Sequence, residues 1–191
     1  VRYAGFWRRL IAGLIDFVVL SPITFLTVAM DGHSLVAAVL VTLFGQAGYY
    51  AYILPLTRWF GGTLGKLAVG VRVQPVGGGP LTWRHVLRRS GVDLLASSLI
   101  GSGTLIGLSR VPFATYAAAA WPERAQLLEA AVPWATWVNG AYMVWLLSEF
   151  VVILTNRQRR ALHDFIASTV VVVTRGQPTP APSSAVGLPV S

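Results

Sequence analysis

The sequence predicts an all-α membrane protein: a four-span transmembrane helical bundle with a small cytoplasmic β element. Three observations carry that prediction. First, 54% of the residues are hydrophobic and only 12% are charged, with a mean hydropathy of +0.63, unlike a soluble domain of this size. Second, the apolar residues gather into runs of about 20, the length a helix needs to cross a bilayer. Third, the positive charge falls almost wholly on one side of those runs, as membrane topology requires.

The segments follow in order. Residues 6–30 form the first apolar run and residues 34–56 the second. A third and weaker run, residues 91–109, is rich in Gly and Ser and interrupted by Asp93. The fourth covers residues 133–154. A three-span version, with the third run bent or lying in the interface, stays open at this point. Residues 111–121 are apolar but too short to cross, and Pro112 and Pro122 bracket them; they read as a re-entrant or interfacial element.

Between spans two and three, residues 67–76 alternate like a strand, and 77–80 (Gly-Gly-Gly-Pro) form a turn. Residues 83–89 read as a short basic amphipathic helix on the membrane surface. Residues 168–174 are β-branched and too short to span, so they are expected to pair with 67–76 as a small sheet. The Pro-, Ala- and Ser-rich stretch 175–191 reads as a disordered cytoplasmic tail behind a transmembrane domain over 1–174. The first run is long enough to stay in the membrane and does not read as a cleaved signal.

Charge sets the expected orientation. Arg2, Arg8 and Arg9 precede span one, six basic residues from Arg58 to Arg89 join spans two and three, and four follow span four. By the positive-inside rule, thirteen of the fifteen basic residues then lie in the cytoplasm with both termini, in a bacterial inner membrane. Topology and attraction to anionic membrane lipid account for the net charge of +8. No aromatic–basic module points to nucleic acid. The seven tryptophans and six tyrosines suit two membrane interfaces.

Enzyme chemistry finds no support. With no cysteine, disulfides, thiolate metal sites and cysteine catalysis are excluded. Gly61-Gly-Thr-Leu-Gly-Lys66 resembles a phosphate loop only superficially, since Phe60 and Leu67 stand where that motif needs Gly and Ser or Thr. His33 and His85 fall in different compartments, and there is no HExxH and no dinucleotide fingerprint. No cofactor and no metal are expected.

The candidate site rests on charges placed where they are costly. Asp16 sits within the first span, at a cost of roughly 2.5–3.5 kcal/mol on insertion scales. Arg9 stands two turns earlier on the same helix face. Glu149 lies in span four, roughly 7–8 Å from its cytoplasmic end, and Asp16 roughly 10 Å beyond Arg9, so the carboxylates share a similar depth. If their helices face each other, a shared proton or a cation must separate them. Asp164 is expected to close this cluster from below and meet Arg9, while Asp93, four residues after Arg89, forms a structural i,i+4 ion pair with it. The structural alternatives are an Arg9 that snorkels or pairs with Asp16 on its own helix, and polar helix–helix contacts for Asp16 and Glu149, worth about 0.6 kcal/mol each. His163 reads as interfacial. Gly45, Gly48, Gly101, Gly103 and Gly107 read as close helix contacts.

Three blocks resemble a known family. Phe6-Trp-Arg-Arg-Leu-Ile-Ala-Gly-Leu-Ile-Asp16 is similar to the opening helix of the RDD family, small bacterial membrane proteins named for one arginine and two aspartates. Gly61-Gly-Thr-Leu-Gly-Lys-Leu-Ala-Val-Gly-Val-Arg-Val73 resembles its second block, and Arg160-Ala-Leu-His-Asp164 with the Phe-Ile-Ala-Ser-Thr-Val-Val-Val that follows its closing one. The resemblance makes Arg9, Asp16 and Asp164 the naming residues and carries a suggestion of transport. This chain departs from the family pattern in the long stretch 110–132 and in Glu149.

Two functions follow from this reading. One is a small transporter, working as a homo-oligomer, that exchanges a monovalent cation or small solute for protons, with Asp16 and Glu149 as exchanging carboxylates and Arg9 tuning Asp16. The other is an accessory or assembly subunit of a larger membrane complex, in which the Arg/Asp set is purely structural.

Overall fold

Four helices are long and apolar enough to cross a membrane: α1 (Phe6–Asp31), α2 (Leu35–Phe60), α4 (Trp83–Arg110) and α7 (Pro133–Thr155). They run 26, 26, 28 and 23 residues, or about 35–42 Å, enough to exceed a hydrocarbon core of about 30 Å. These elements come from a computed structural model that describes residues 2–174; the predicted tail, 175–191, lies outside the described residues. The chain is an all-α, multi-pass membrane bundle with a small two-stranded sheet, and the three-span version falls away.

Side-chain exposure follows from the solvent being lipid. Phe17, Phe25, Phe44, Trp137 and Leu154 all point outward, which in water would be a severe liability and in a bilayer is the favourable arrangement. Pro22 and Pro55 sit inside α1 and α2, as transmembrane helices tolerate. Ser34 opens α2 by accepting the Ala37 N–H at 3.1 Å. Gly61 closes it in the left-handed conformation, φ +77°.

The third span is stronger than its composition suggests. Residues 83–89 form no separate surface helix but are the first two turns of α4. The Thr82 N–H donates to His85 Nδ1 at 3.2 Å and starts the helix there. Arg89, two turns in, turns inward to a buried partner, so its charge gives no reason to leave the bundle. α4 becomes the central helix, packed against α2, α6 (Trp121–Ala131), α7 and α8 (Leu162–Ile166). Gly101 permits the α2 contact, since a Cβ there would run into the Gln46 side chain. Gly45 and Gly48, read as packing glycines from sequence, meet nothing within 4 Å.

The stretch 110–132 contains the apolar residues 111–121, expected as a re-entrant or interfacial element. It folds into α5 (Phe113–Ala118) and α6, with Pro112 and Pro122 at the helix starts, where a missing N–H costs nothing. The pair caps the end of the bundle away from the termini through Leu108, Tyr116, Leu128 and Ala38. At the terminal end, β1 (Val71–Pro75) and β2 (Thr169–Val173) pair antiparallel in the register Val71↔Val173 and Val73↔Val171, with Tyr3 bridging Val172. The strand predicted over 67–76 begins only at Val71, because residues Leu64–Ala68 wind into α3 and Gly70 turns the chain at φ +68°. Ala4, Val71, Val73, Leu81, Val86, Val171 and Val173 form the small core beneath.

The register is directly testable in this cysteine-free chain. Cysteines at Val71 and Val173, directly opposed, are expected to cross-link on oxidation, while cysteines at Val71 and Val172 are not, because a one-residue offset turns the second to the other face. Peptide mass mapping distinguishes the two.

Candidate functional site

Asp164 is the hub. It opens α8, is fully buried, and accepts an ion-pair hydrogen bond from Arg9 Nη1 at 2.7 Å on Oδ2. Its other oxygen takes a close ion pair from Arg89 Nη1 and the Thr169 hydroxyl at 3.2 Å. The Ala161 N–H adds a further bond at 3.0 Å. Each arginine also reaches elsewhere: Arg9 Nη2 donates to the Arg159 carbonyl at 2.7 Å, and Arg89 Nη1 to Thr169 Oγ1 at 3.1 Å. One carboxylate thereby joins α1, α4, α8 and β2. Burial alone would raise the Asp164 carboxyl, but the Arg89 and Arg9 charges outweigh it and hold it well below the usual carboxylate range.

Two sequence expectations change here. Arg89 does not form an ion pair with Asp93: its guanidinium is taken by Asp164, and the Asp93 carboxylate instead accepts from the Tyr142 hydroxyl at 3.3 Å. Helical spacing allowed the local pair, but Asp164 is fully buried, and the lower local dielectric strengthens its pull on Arg89 enough to outweigh repulsion from Arg9. Nor does Arg9 pair with Asp16 on its own helix. The expected meeting of Arg9 with Asp164 is seen.

Asp16 has a different set of partners. Tyr52 Oη donates to Oδ1 at 2.8 Å, Thr63 Oγ1 to Oδ2 at 2.5 Å, and the Gly65 N–H to Oδ1 at 2.7 Å. The carboxylate thus pins the Gly61–Lys66 loop and the short α3 against α1. Gly65 is required by this approach, since a Cβ there would collide with the Ala12 carbonyl and the Asp16 carboxylate.

Glu149 lies on α7, almost fully buried, facing α8. Its Oε1 accepts the His163 N–H at 2.9 Å, and His163 Nδ1 stands 2.5 Å from Oε2. His163 Nε2 is buried without a hydrogen-bond partner among the described residues, 3.9 Å from Asp164 Oδ1. Burial, and next the positive charge of Arg89, push the His163 imidazole down, against the pull of Glu149. So Glu149 and Asp16 are not brought face to face. Glu149 borders a cavity of about 270 Å³ with Asp93, Tyr142 and His163. Asp16 borders another of about 440 Å³ with Tyr52 and Thr63. Arg9, Tyr49 and Lys66 line both and divide them.

Lys66 is the residue that sequence reading passed over. It is the only lysine among fifteen basic residues, and its ammonium makes no ion pair or hydrogen bond among the described residues. Burial, reinforced by Arg89 and opposed by Asp16, pushes it down to about 8. The signal was compositional: a chain that uses arginine everywhere else keeps one base that can release its proton.

The RDD family model matches residues 3–168. The chain belongs to the RDD family. No curated protein and no solved structure matches it. In this RDD protein Arg9 and Asp164 form one buried pair, while Asp16 serves a separate loop.

Two outcomes test this division of labour. Asp164→Asn leaves two buried arginines without their counter-charge and is expected to cost about 3–5 kcal/mol of thermal stability in detergent. Because folding depresses the Asp164 carboxyl below its reference of 3.8, the wild-type advantage over Asp164→Asn is fully present above that value and lost as pH falls through and below it. Unfolding curves of both proteins from pH 7 to pH 3 measure it. Gly65→Ala is expected to lose about 1–3 kcal/mol by overpacking and to free the Gly61–Lys66 loop, read as faster hydrogen exchange there.

Proposed function

We propose that this RDD protein is a non-enzymatic, proton-coupled carrier for a monovalent cation or small solute. It works as a homo-oligomer in a bacterial inner membrane, with both termini in the cytoplasm. The supporting observation is the cavity of about 270 Å³ that places Glu149, His163 and Lys66 together within the bundle. Ionisable groups at that depth are costly unless they are paired or used. Arg9 and Arg89 are both ion-paired to the buried Asp164. His163 Nε2 is buried without a hydrogen-bond partner among the described residues, and Lys66 Nζ makes no ion pair or hydrogen bond among them. Glu149 with His163 is then the exchanging pair, holding one proton in one state and releasing it as the cation or solute enters. Lys66 is the tethered positive charge that the incoming ligand displaces. Asp16, with three donors on its two oxygens, holds the loop that carries Lys66 and does not itself exchange.

One observation favours the second reading, an accessory subunit of a larger membrane complex. All three family-naming residues end in structural bonds, which is what a scaffold requires and a transporter does not.

Proton flux in reconstituted liposomes separates the two. An interior pH dye is expected to respond to added Na⁺, K⁺ or Li⁺ with wild type. The response should fall at least about tenfold with Glu149→Gln or His163→Phe while both variants remain folded. Asp16→Asn should lower the yield of folded protein more than the rate per folded molecule. A flat trace from folded wild type overturns proton-coupled transport of these cations, and a stoichiometric co-purifying membrane protein supports the accessory reading.

A further inference from the structure

The cavity bordered by Glu149, His163 and Lys66 also holds hydrogen-bond donors that nothing uses. Arg89 supplies the most buried of them: its side chain is 8% exposed, and it lines this cavity. A guanidinium carries five N–H donors. Both hydrogen bonds that Arg89 makes, to Asp164 and Thr169, come from Nη1. The donors on Nε and Nη2 have no partner among the described residues. They are not sealed in packed protein as His163 Nε2 is, so their open side is the cavity. Nε and Nη2 form one edge of the guanidinium, a geometry that takes a carboxylate through two parallel hydrogen bonds.

Lys66 lines the same cavity. Its ammonium brings three more donors, with no ion pair or hydrogen bond among the described residues. Pushed down to about 8, it still carries its charge at neutral pH. The carboxylates on the same wall, by contrast, are already met. Glu149 accepts the His163 N–H at 2.9 Å and faces its Nδ1, and Asp93 accepts from the Tyr142 hydroxyl at 3.3 Å. In the neighbouring cavity, Asp16 engages both oxygens with Tyr52, Thr63 and the Gly65 N–H. What this site lacks is an acceptor.

Charge points the same way. Arg9 and Arg89 share one carboxylate, Asp164. When Glu149 and His163 hold one proton, that pair is neutral. Arg9, Arg89 and Lys66 then stand against Asp93 and Asp164, which leaves one positive charge beside this cavity. Leu146, Phe150 and Ile153 add an apolar wall. At about 270 Å³ the space is much larger than a bare halide needs and slightly below the roughly 300–1,000 Å³ of a drug-sized site.

We infer that this cavity binds a small monocarboxylate, its oxygens on the free edge of Arg89 and the Lys66 ammonium, its short alkyl chain against Leu146 and Ile153. The anion compensates the surplus positive charge while Glu149 and His163 hold their proton. A bare halide meets the charge but neither the two-pronged edge nor the apolar wall. The inference rests on the transport reading in one respect, that solutes enter this cavity, and it does not require the anion to cross the membrane.

The experiment is isothermal titration of the full chain in phosphatidylcholine nanodiscs at neutral pH with sodium butyrate. 1-Butanol and sodium chloride are the controls, and empty nanodiscs the blank. Saturable binding of butyrate is expected, and none of butanol. Lys66→Met should weaken it about tenfold or more. Leu146→Trp, which fills the cavity and leaves its charges in place, should do the same, so the proposal stays testable if the first variant fails to fold. Arg72→Gln removes an exposed charge from β1 and should bind as wild type does. Absence of saturable binding to folded wild type, undiminished binding by folded Lys66→Met or folded Leu146→Trp, or displacement by equimolar sodium chloride would each overturn it. Butyrate binding with a flat liposome trace upholds the site and sinks transport, while proton flux without butyrate binding does the reverse.

Discussion

One fully buried carboxylate facing two arginines is the constraint on which the rest of this structure depends. Taking three charges out of water costs several kcal/mol per ion, repaid only if geometry is good and the remaining lone pairs are satisfied. Asp164 meets that condition with Arg9, Arg89, Thr169 and the Ala161 N–H. Because those partners come from α1, α4, β2 and the turn before α8, their cost is recovered only when all four elements are in place. Lipid-facing helices have little hydrophobic reason to choose one neighbour over another. A buried ionic hub supplies that choice, and it sets the depth of α4 and the seat of the small sheet.

The sheet is the consequence. A two-stranded ribbon is marginal by itself, yet β1 and β2 are largely buried. Arg160 helps seat β2, with its Nε on the Thr169 carbonyl at 3.0 Å and its Nη2 on the Asp164 carbonyl at 2.9 Å. The Ala4 N–H adds the start of the chain to the Val171 carbonyl at 2.8 Å. Three regions distant in sequence, the N-terminus, the middle loop and the end of the domain, close one end of the bundle. That closure creates the protected volume in which Glu149, His163 and Lys66 sit.

The polar groups thus sort by how completely they are used. Asp164 and Asp16 are saturated and hold structure. Glu149 is paired with a histidine whose second nitrogen is idle, and Lys66 has no partner at all among the described residues. A membrane protein that kept these groups only for stability would do better with apolar residues of the same size, so their presence in a cavity is the physical ground on which a transport role is proposed.

The sequence by itself determined the membrane class, the four apolar segments, the pairing of 168–174 with the middle loop and the place of Arg9, Asp16 and Asp164 in the first and last of three ordered blocks. These were legible because they depend on local quantities: segment length, β-branching and residue spacing. The meeting of Arg9 with Asp164 was legible too, since both fall at the same edge of the bundle. Only the tertiary structure decided which charges pair. The intrahelical neighbour of Arg89 is Asp93 and that of Arg9 is Asp16, yet both arginines turn to Asp164. Asp16 takes a backbone N–H from a loop 49 residues away, and Glu149 faces a histidine and not Asp16. In a low-dielectric interior the strongest electrostatic partner wins, and which partner that is depends on which helices touch, a property no single segment contains.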